Sequence, residues 1–308
     1  MTKQIPGNYN KKGIWVYDDL LPSVPEKKRL TLNEGNTPIF HVNGIFFKCE
    51  YENPTGSVKD RGMVCQISSI FSQNIKQAVI SSSGNAAISA ASYCRLAGIK
   101  LTVFVSKQVN KMKHKRLKDM DVKIILSDTP LKDSVLFARL NHAYHLRQSI
   151  DDNSRVGYKT IAYEMSKDVK NIDAVFIPVS SGSTLVGISR GFDDLGMKVA
   201  MHAVQTTRVH PISEQFDNPC IKESTSLADA IVAKYTPRKD EVISIIKISR
   251  GWGWTLDDKA IIEAHKFLIE QKIYCSYEGA LALAAVYKAK RNNRIYKNPV
   301  CLLTGKRY

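Results

Sequence analysis

Short apolar runs alternate with longer segments of helical periodicity along most of the chain. Buried strands are expected at residues 44–47, 77–80, 100–105, 122–126, 174–179, 199–204 and 300–303. Helices are expected at residues 58–71, 86–97, 131–146, 158–169, 256–271 and 278–285. Strands that alternate with helices indicate βαβ units and therefore parallel sheets. The pattern predicts an α/β fold, with its weakest signal at 208–250, where only 227–231 looks helical.

The connection between the first predicted strand and its helix contains unusual chemistry. Residues 53–56 read Asn-Pro-Thr-Gly, a turn in which Pro fixes φ and Gly permits a positive φ. Ser57 can then cap the helix, which places Lys59 in the first turn. A lysine there opposes the positive end of the helix dipole, so a solvated side chain is the ordinary interpretation. The alternative is an amine whose pKa is lowered from about 10.4, so that it forms a Schiff base.

Two later strands lead into loops of small polar residues that open helices. Ser81–Asn85 precedes an Ala-rich helix, and Ser180–Thr184 follows the apolar run at 174–179. Backbone amides at a helix N-terminus favour an anion, although Ser81–Asn85 also fits an ordinary βα connection. Ser180–Thr184 has neither the Gly-Lys-[Ser/Thr] of a nucleotide P-loop nor the Gly-x-Gly-x-x-Gly of a dinucleotide fold. A single compact phosphate suits this loop better.

Residues 53–62 resemble the lysine motif of the fold-type II (tryptophan synthase β-like) pyridoxal-phosphate enzymes, and are most similar to that of the threonine synthases. Residues 36–38, 81–85, 180–184 and 304–305 resemble segments of the same family in the same order. The resemblance implies an α/β protein of two three-layer domains with mostly parallel sheets. Residues 44–147 would form the small domain. Residues 1–43 and 148–308 would form the large domain, which binds the cofactor phosphate.

The resemblance also implies pyridoxal 5′-phosphate as the cofactor and assigns residues to it. Lys59 is expected to hold the cofactor as a Schiff base and to move the Cα proton of the substrate. Asn85 is expected to contact the phenolic oxygen, and Thr304 the pyridine nitrogen. The phosphate group is assigned to Ser180, Ser181, Gly182, Ser183 and Thr184.

The substrate side is assigned to three residues by the same resemblance. Ser82 and Ser83 are expected to receive the substrate carboxylate. Glu278, at the start of an Ala-rich helix, is a weaker candidate, because an acid at that position is also favoured by the helix dipole.

The predicted activity is that of a threonine synthase, a carbon–oxygen lyase of amino-acid biosynthesis acting on phosphates. It converts O-phosphohomoserine and water to threonine and phosphate. A cysteine synthase-like β-replacement enzyme, using O-acetylserine or O-phosphoserine, and a serine/threonine dehydratase are alternatives within the class. Outside the class, the alternative is a non-catalytic protein that retains the fold. The expected partner is a small anionic amino-acid substrate.

Composition excludes several other classes of protein. Apolar residues at 44% and charged residues at 24% describe an ordinary globular protein, and no apolar run reaches the length of a membrane span. The six cysteines are scattered, so neither a metal site nor a disulfide framework is expected. Because the N-terminus lacks the apolar stretch of a secretory signal, we expect a cytoplasmic protein that contacts no membrane. A homodimer is expected as a separate property.

The net charge of +16 is densest at residues 107–123. A basic run of this kind is one feature of nucleic-acid-binding proteins. However, it has no interleaved aromatic residues and lies in no nucleic-acid-binding motif. We therefore expect a solvated helix face, which attracts anionic substrates, and no nucleic-acid partner.

Overall fold

The computed structural model describes residues 7–8, 10–107, 111–217 and 223–307, with the backbone only at 111–113. The chain forms two compact units. Unit I contains Pro6–Gly35 and Asn53–Gly157, and unit II contains Asn36–Glu52 and Tyr158–Tyr308. No described helix is long and apolar enough to cross a membrane.

Each unit contains a sheet with helices between its strands. The helices are α1 Lys59–Ser72, α2 Asn85–Ala97, α3 Lys111–Lys118, α4 Pro130–Leu140, α5 Asp152–Asp168, α6 Ser183–Asp194, α7 Lys239–Ile248, α8 Asp258–Glu270 and α9 Tyr277–Arg291. The strands are β1 Ile39–Val42, β2 Ile45–Lys48, β3 Gln77–Ser81, β4 Lys100–Ser106, β5 Lys123–Ser127, β6 Tyr144–His145, β7 Ala174–Pro178, β8 Ala200–Thr206, β9 Gly253–Leu256 and β10 Pro299–Leu302.

The two sheets are almost entirely parallel. The sheet of unit I has the order β5-β4-β3-β6, with every neighbouring pair parallel. The sheet of unit II has the order β1-β2-β10-β7-β8-β9, in which only the β1–β2 hairpin is antiparallel. These sheets confirm the predicted α/β class. In such sheets ligands collect beyond the carboxyl ends of the strands.

An N-terminal arm packs into the core of unit I. Trp15 and Leu30 belong to the same buried apolar cluster as residues of α1 and α2. The Trp15 indole N–H donates to the Leu30 carbonyl at 2.6 Å. The arm ends at Glu34, whose buried carboxylate accepts from the Tyr93 hydroxyl at 2.7 Å and from the Leu32 amide at 2.9 Å. Because these donors replace water, the arm is fixed by hydrogen bonds as well as by apolar contact.

The observed units differ from the predicted domains of 44–147 and of 1–43 plus 148–308. The arm belongs to unit I because Trp15 and Leu30 lie in the core of that unit. In contrast, β2 belongs to unit II because it pairs in parallel with β10, with Phe47 opposite Cys301. A strand that pairs with a distant part of the chain gives no local signal of its partner.

The helical signal at 227–231 was misleading, because the segment forms a turn. The Leu227 amide donates to the Asp258 carboxylate at 3.0 Å, and the Ala230 amide donates to Glu278 Oε1 at 2.9 Å. Carboxylates of α8 and α9 therefore accept hydrogen bonds from these amides. In a helix, side chains and backbone carbonyls compete for such amides.

The basic segment contains α3, as expected, although residues 108–110 lie outside the described residues. Lys115 and Lys118 are exposed, whereas Leu117 is buried. This pattern is typical of a helix with one solvated face.

We predict that Gly157→Ala destabilises unit I, although alanine normally favours a helix over glycine. A Cβ at Gly157 in α5 would lie 1.8 Å from the Arg61 carbonyl oxygen, so α5 or α1 must shift. We expect a loss of about 3 kcal/mol or more in the free energy of unfolding, measured by urea denaturation. Gly98→Ala is the control, because that site has φ +64° but open space, and should lose about 1 kcal/mol. Equal losses in the two variants would contradict the close contact of α5 with α1.

Candidate functional site

Lys59 begins α1 directly after a tight turn in unit I. The Gly56 amide donates to the Asn53 carbonyl at 2.7 Å, and Gly56 has φ +85°, a value that favours glycine. Ser57 Oγ accepts from the Lys59 amide at 3.4 Å. Burial lowers the pKa of Lys59 to about 8. At that pKa about one tenth of the amine is unprotonated at pH 7, against about one part in 2,500 for an ordinary lysine.

Asn85 is the first residue of α2, the helix that packs beside α1. The two helices are joined near their N-terminal ends, where Ser89 Oγ donates to Asp60 Oδ1 at 2.6 Å. Ser89 lies four residues after Asn85 and so on the same face of α2. Unit I therefore brings the starts of the helices that carry Lys59 and Asn85 close together.

The loop before α2 presents polar side chains that are only half-buried. The Gly84 amide donates to Ser82 Oγ at 3.2 Å. The side chains of Ser83 and Asn85 form no hydrogen bond with another described residue, and all three polar side chains are half-buried. With the amides at the start of α2, these groups can bind a small anion such as a carboxylate.

In unit II, Ser180–Thr184 links β7 to α6. Gly182 has φ +88°, and a Cβ at that position would lie 2.6 Å from Val242 Cγ2. Ser183 and Thr184 are buried, and the Oγ atoms of Ser181 and Ser183 lie 3.4 Å apart. The loop is therefore a narrow turn, which only glycine at position 182 allows without strain, at the N-terminus of a helix.

Residues 232–236, for which the sequence predicted no role in the site, pack against this loop. The amides of Val232 and Ala233 both donate to Ser180 Oγ at 3.3 Å, and Thr236 Oγ1 donates to the Ser181 carbonyl at 2.5 Å. Because both lone pairs of the Ser180 hydroxyl accept hydrogen bonds, its own proton is the group left to donate to an anion. No periodic pattern marks this segment, since its backbone is bonded to side chains and loops.

Thr304 follows β10, which lies beside β7 in the sheet of unit II. Because both strands are parallel, Thr304 and Ser180–Thr184 lie at the same sheet edge. The Thr304 hydroxyl forms no hydrogen bond with another described residue, while the Gly305 carbonyl accepts from the Ser276 amide at 2.8 Å.

Glu278 is placed differently, because its carboxylate binds the Ala230 amide. This contact favours a structural role for Glu278.

Comparison with known proteins identifies the family. The profile described as "Pyridoxal-phosphate dependent enzyme" matches residues 30–305, and the chain belongs to that family. The threonine synthase of Methanocaldococcus jannaschii is 26% identical over an alignment of 322 residues, which covers 95% of this chain and 80% of that protein. The catabolic L-threonine dehydratase of Staphylococcus aureus is 26% identical over 272 residues, 85% of this chain and 78% of that protein.

Solved structures show the same fold. The structure of maize serine racemase superposes with a TM-score of 0.78 at 21% identity, over 89% of this chain and 89% of that chain. These matches confirm the resemblance to fold-type II enzymes and the prediction of pyridoxal 5′-phosphate as the cofactor.

The residues that the resemblance assigns to this cofactor have side chains and backbone groups of the required chemistry. An aldehyde requires an amine that is unprotonated near neutral pH, which Lys59 provides through burial. A phosphate requires amides and hydroxyls at a helix N-terminus, which Ser180–Thr184 provides. A pyridine nitrogen requires a hydroxyl or a carboxylate, and Thr304 provides a hydroxyl. The assignment of each residue stays a prediction.

The part of the chain that the structure describes holds no candidate metal site. No group of three or more His, Cys, Asp or Glu residues there has the arrangement of a metal site. The described cysteines are buried and free, namely Cys49, Cys65, Cys94, Cys275 and Cys301.

The lowered pKa of Lys59 predicts selective reactivity in the cofactor-free protein. Because only the neutral amine reacts with an acylating reagent, the modification rate of Lys59 should rise with pH and be half-maximal near pH 8. Exposed lysines should be half-maximal near about pH 10.4. The measurement is pulse acylation at a series of pH values, followed by peptide mass spectrometry. Lys48 is the internal control, since it is fully buried in an ion pair with Glu164 at 2.6 Å and should not react. A midpoint above pH 10 for Lys59 would contradict the prediction.

The narrow turn at Gly182 predicts that Gly182→Ala weakens cofactor binding. An alanine must leave φ +88° or displace Val242, and restoring the native loop costs about 1–2 kcal/mol. We expect the Kd for pyridoxal 5′-phosphate, measured by absorbance titration, to rise about fivefold to thirtyfold. Ser183→Ala keeps the backbone and loses one hydroxyl, so it should cost about 1 kcal/mol. Gly196→Ala, with φ +66° in open space after α6, is the control and should keep the parental Kd. An unchanged Kd in Gly182→Ala would place the phosphate elsewhere.

Proposed function

We propose that the protein is a threonine synthase-like lyase, which converts O-phosphohomoserine and water to threonine and phosphate. The observation that carries the proposal is the half-buried Lys59 at the start of α1, behind a turn like that of the threonine synthases, with an amine whose pKa is lowered to about 8 by desolvation. The relative from M. jannaschii supports this choice, because its similarity extends over nearly the whole chain.

Lys59 has the properties of the base that moves the substrate Cα proton. The cofactor, when bound, supplies an aldehyde that joins the substrate amine and withdraws electrons from Cα. A general base is most effective when its pKa lies near the working pH, and burial brings the pKa of Lys59 to about 8. The Lys59 amine can therefore accept a proton at Cα and return it without strong bias in either direction.

The polar loop of unit I is suited to the substrate carboxylate. Ser82, Ser83 and the amides at the start of α2 are donors with spare capacity at a helix N-terminus. Asn85 lies at the same helix start, where we propose that it contacts the cofactor. Carboxylate binding here orients the substrate Cα relative to the segment that carries Lys59.

We propose that Thr304 contacts the pyridine nitrogen of the cofactor. A neutral hydroxyl leaves the pyridine nitrogen largely unprotonated, whereas a carboxylate would hold it protonated and strengthen electron withdrawal. In the overall reaction the Cγ–O bond of the substrate breaks and its electron pair leaves with phosphate. Cβ loses one proton and becomes bonded to the hydroxyl of water, Cγ gains one proton and becomes a methyl group, and the other proton of water goes to phosphate. The net charge of +16 favours capture of this anionic substrate.

A substrate panel tests the proposal. The cofactor-loaded protein should release phosphate from O-phosphohomoserine and form an equal amount of threonine, with a rate constant for capture that falls as ionic strength rises. Lys59→Ala should abolish both products. Phosphate assay and amino-acid analysis are the measurements.

The other outcomes identify the alternatives. Formation of a 2-oxo acid from threonine or serine, without turnover of O-phosphohomoserine, would favour a dehydratase like the relative from S. aureus. Consumption of a thiol with O-acetylserine or O-phosphoserine would favour β-replacement. If no substrate changes the absorbance of the loaded protein, it is a non-catalytic protein that retains the fold.

A further inference from the structure

Asp60 is a fully buried carboxylate directly after Lys59. Its Oδ2 accepts from the Thr55 amide at 2.7 Å. Its Oδ1 accepts from the Thr55 hydroxyl at 2.5 Å and from the Ser89 hydroxyl at 2.6 Å. Hydrogen bonds to an ionised carboxylate are about twice as strong as neutral ones. A carboxylate this deeply buried is costly unless such donors replace its water.

These contacts join three segments of unit I at one carboxylate. Thr55 belongs to the turn before Lys59, Asp60 lies in the first turn of α1, and Ser89 lies in α2. Within this turn the Gly56 amide donates to the Asn53 carbonyl, and both the amide and the hydroxyl of Thr55 donate to Asp60. Asp60 is therefore well placed to fix the direction in which the chain enters α1, and with it the position of Lys59.

We propose that Asp60 is a positioning residue, whose carboxylate joins the turn before Lys59 to α2 and holds Lys59 in place to bond the cofactor. The proposal rests on the assignment of Lys59 in the proposed function, but not on the choice of substrate. We call the contacts of Asp60 with Thr55 and Ser89 the Asp60 clasp.

The clasp also connects the two predicted binding segments of unit I. Ser89 lies one helical turn after Asn85, at the end of α2 where the Ser82–Asn85 loop enters. A displacement of α2 would therefore act on Asp60, and so on the adjacent Lys59, through the buried Ser89–Asp60 hydrogen bond. The clasp makes the position of Lys59 depend on the position of α2.

A pair of buried serines provides a matched test. Ser89→Ala removes one donor from the clasp without changing charge. Ser68→Ala also removes a fully buried serine, but Ser68 lies further along α1 and binds the Leu30 amide at 3.0 Å. Both variants should lower the urea midpoint, and Ser89→Ala should lower it more, because its hydroxyl bonds a carboxylate whereas Ser68 bonds a neutral amide.

Only the clasp variant should affect the lysine. In cofactor-free Ser89→Ala we expect the half-maximal pH for acylation of Lys59 to rise from about 8 towards about 10, because a loosened turn admits water. We expect the Kd for pyridoxal 5′-phosphate to rise about tenfold, and less than about twofold in Ser68→Ala. Thr55→Val, which removes the other hydroxyl donor but keeps the amide, should act in the same direction as Ser89→Ala.

Two results separate the possible failures. Borohydride reduction of the loaded parent protein should place the pyridoxyl label on Lys59, and a label on another lysine would overturn the site itself. If the label is on Lys59 but Ser89→Ala and Thr55→Val keep the parental acylation midpoint and Kd, the clasp has only a structural role. Equal effects of Ser68→Ala and Ser89→Ala would overturn the proposal in the same way.

Discussion

The parallel register of β10 between β2 and β7 is the constraint on which the arrangement of unit II depends. Parallel strands have their carboxyl ends at the same edge of a sheet. The loops that follow β7 and β10 therefore lie at the same edge, even without a direct contact between them. Ser180–Thr184 and Thr304 are neighbours for this reason. In unit I the all-parallel sheet likewise places the loop after β3 at the edge where the carboxyl ends of its strands lie.

Carboxylates then fix the segments that sheets and helices leave undefined. The buried Glu34 binds the end of the arm, and the buried Asp60 binds the turn before Lys59. Glu278 and Asp258, which are half-buried, bind amides of the irregular segment that continues to Val232 and Ala233. Each carboxylate accepts backbone amides that lack a partner in regular structure, which is how irregular backbone remains packed without unsatisfied polar groups. The precision of the candidate site therefore depends on Asp60 within the lysine motif and on carboxylates outside the recognised motifs.

The irregular segment around Val232 and Thr236 shows why the sequence analysis missed part of the site. Its contact with Ser180 and Ser181 involves backbone amides, a carbonyl and hydroxyls, so most of its side chains are not restricted to one type. Neither periodicity nor a motif identifies such a contact. The resemblance assigns Glu278 to the substrate, whereas its carboxylate accepts a hydrogen bond from the Ala230 amide, a contact that favours a structural role.

The sequence by itself determined the α/β class, the strand–loop–helix units and the family, because apolar periodicity and short motifs depend only on residues that are close in the chain. It also identified Lys59 as an unusual first-turn lysine. Only the tertiary structure decided that the arm joins unit I and that β2 joins unit II, since both depend on contacts between distant residues. The lowered pKa of Lys59 was decided in the same way, because burial arises from residues that fold around the amine and not from its neighbours in sequence.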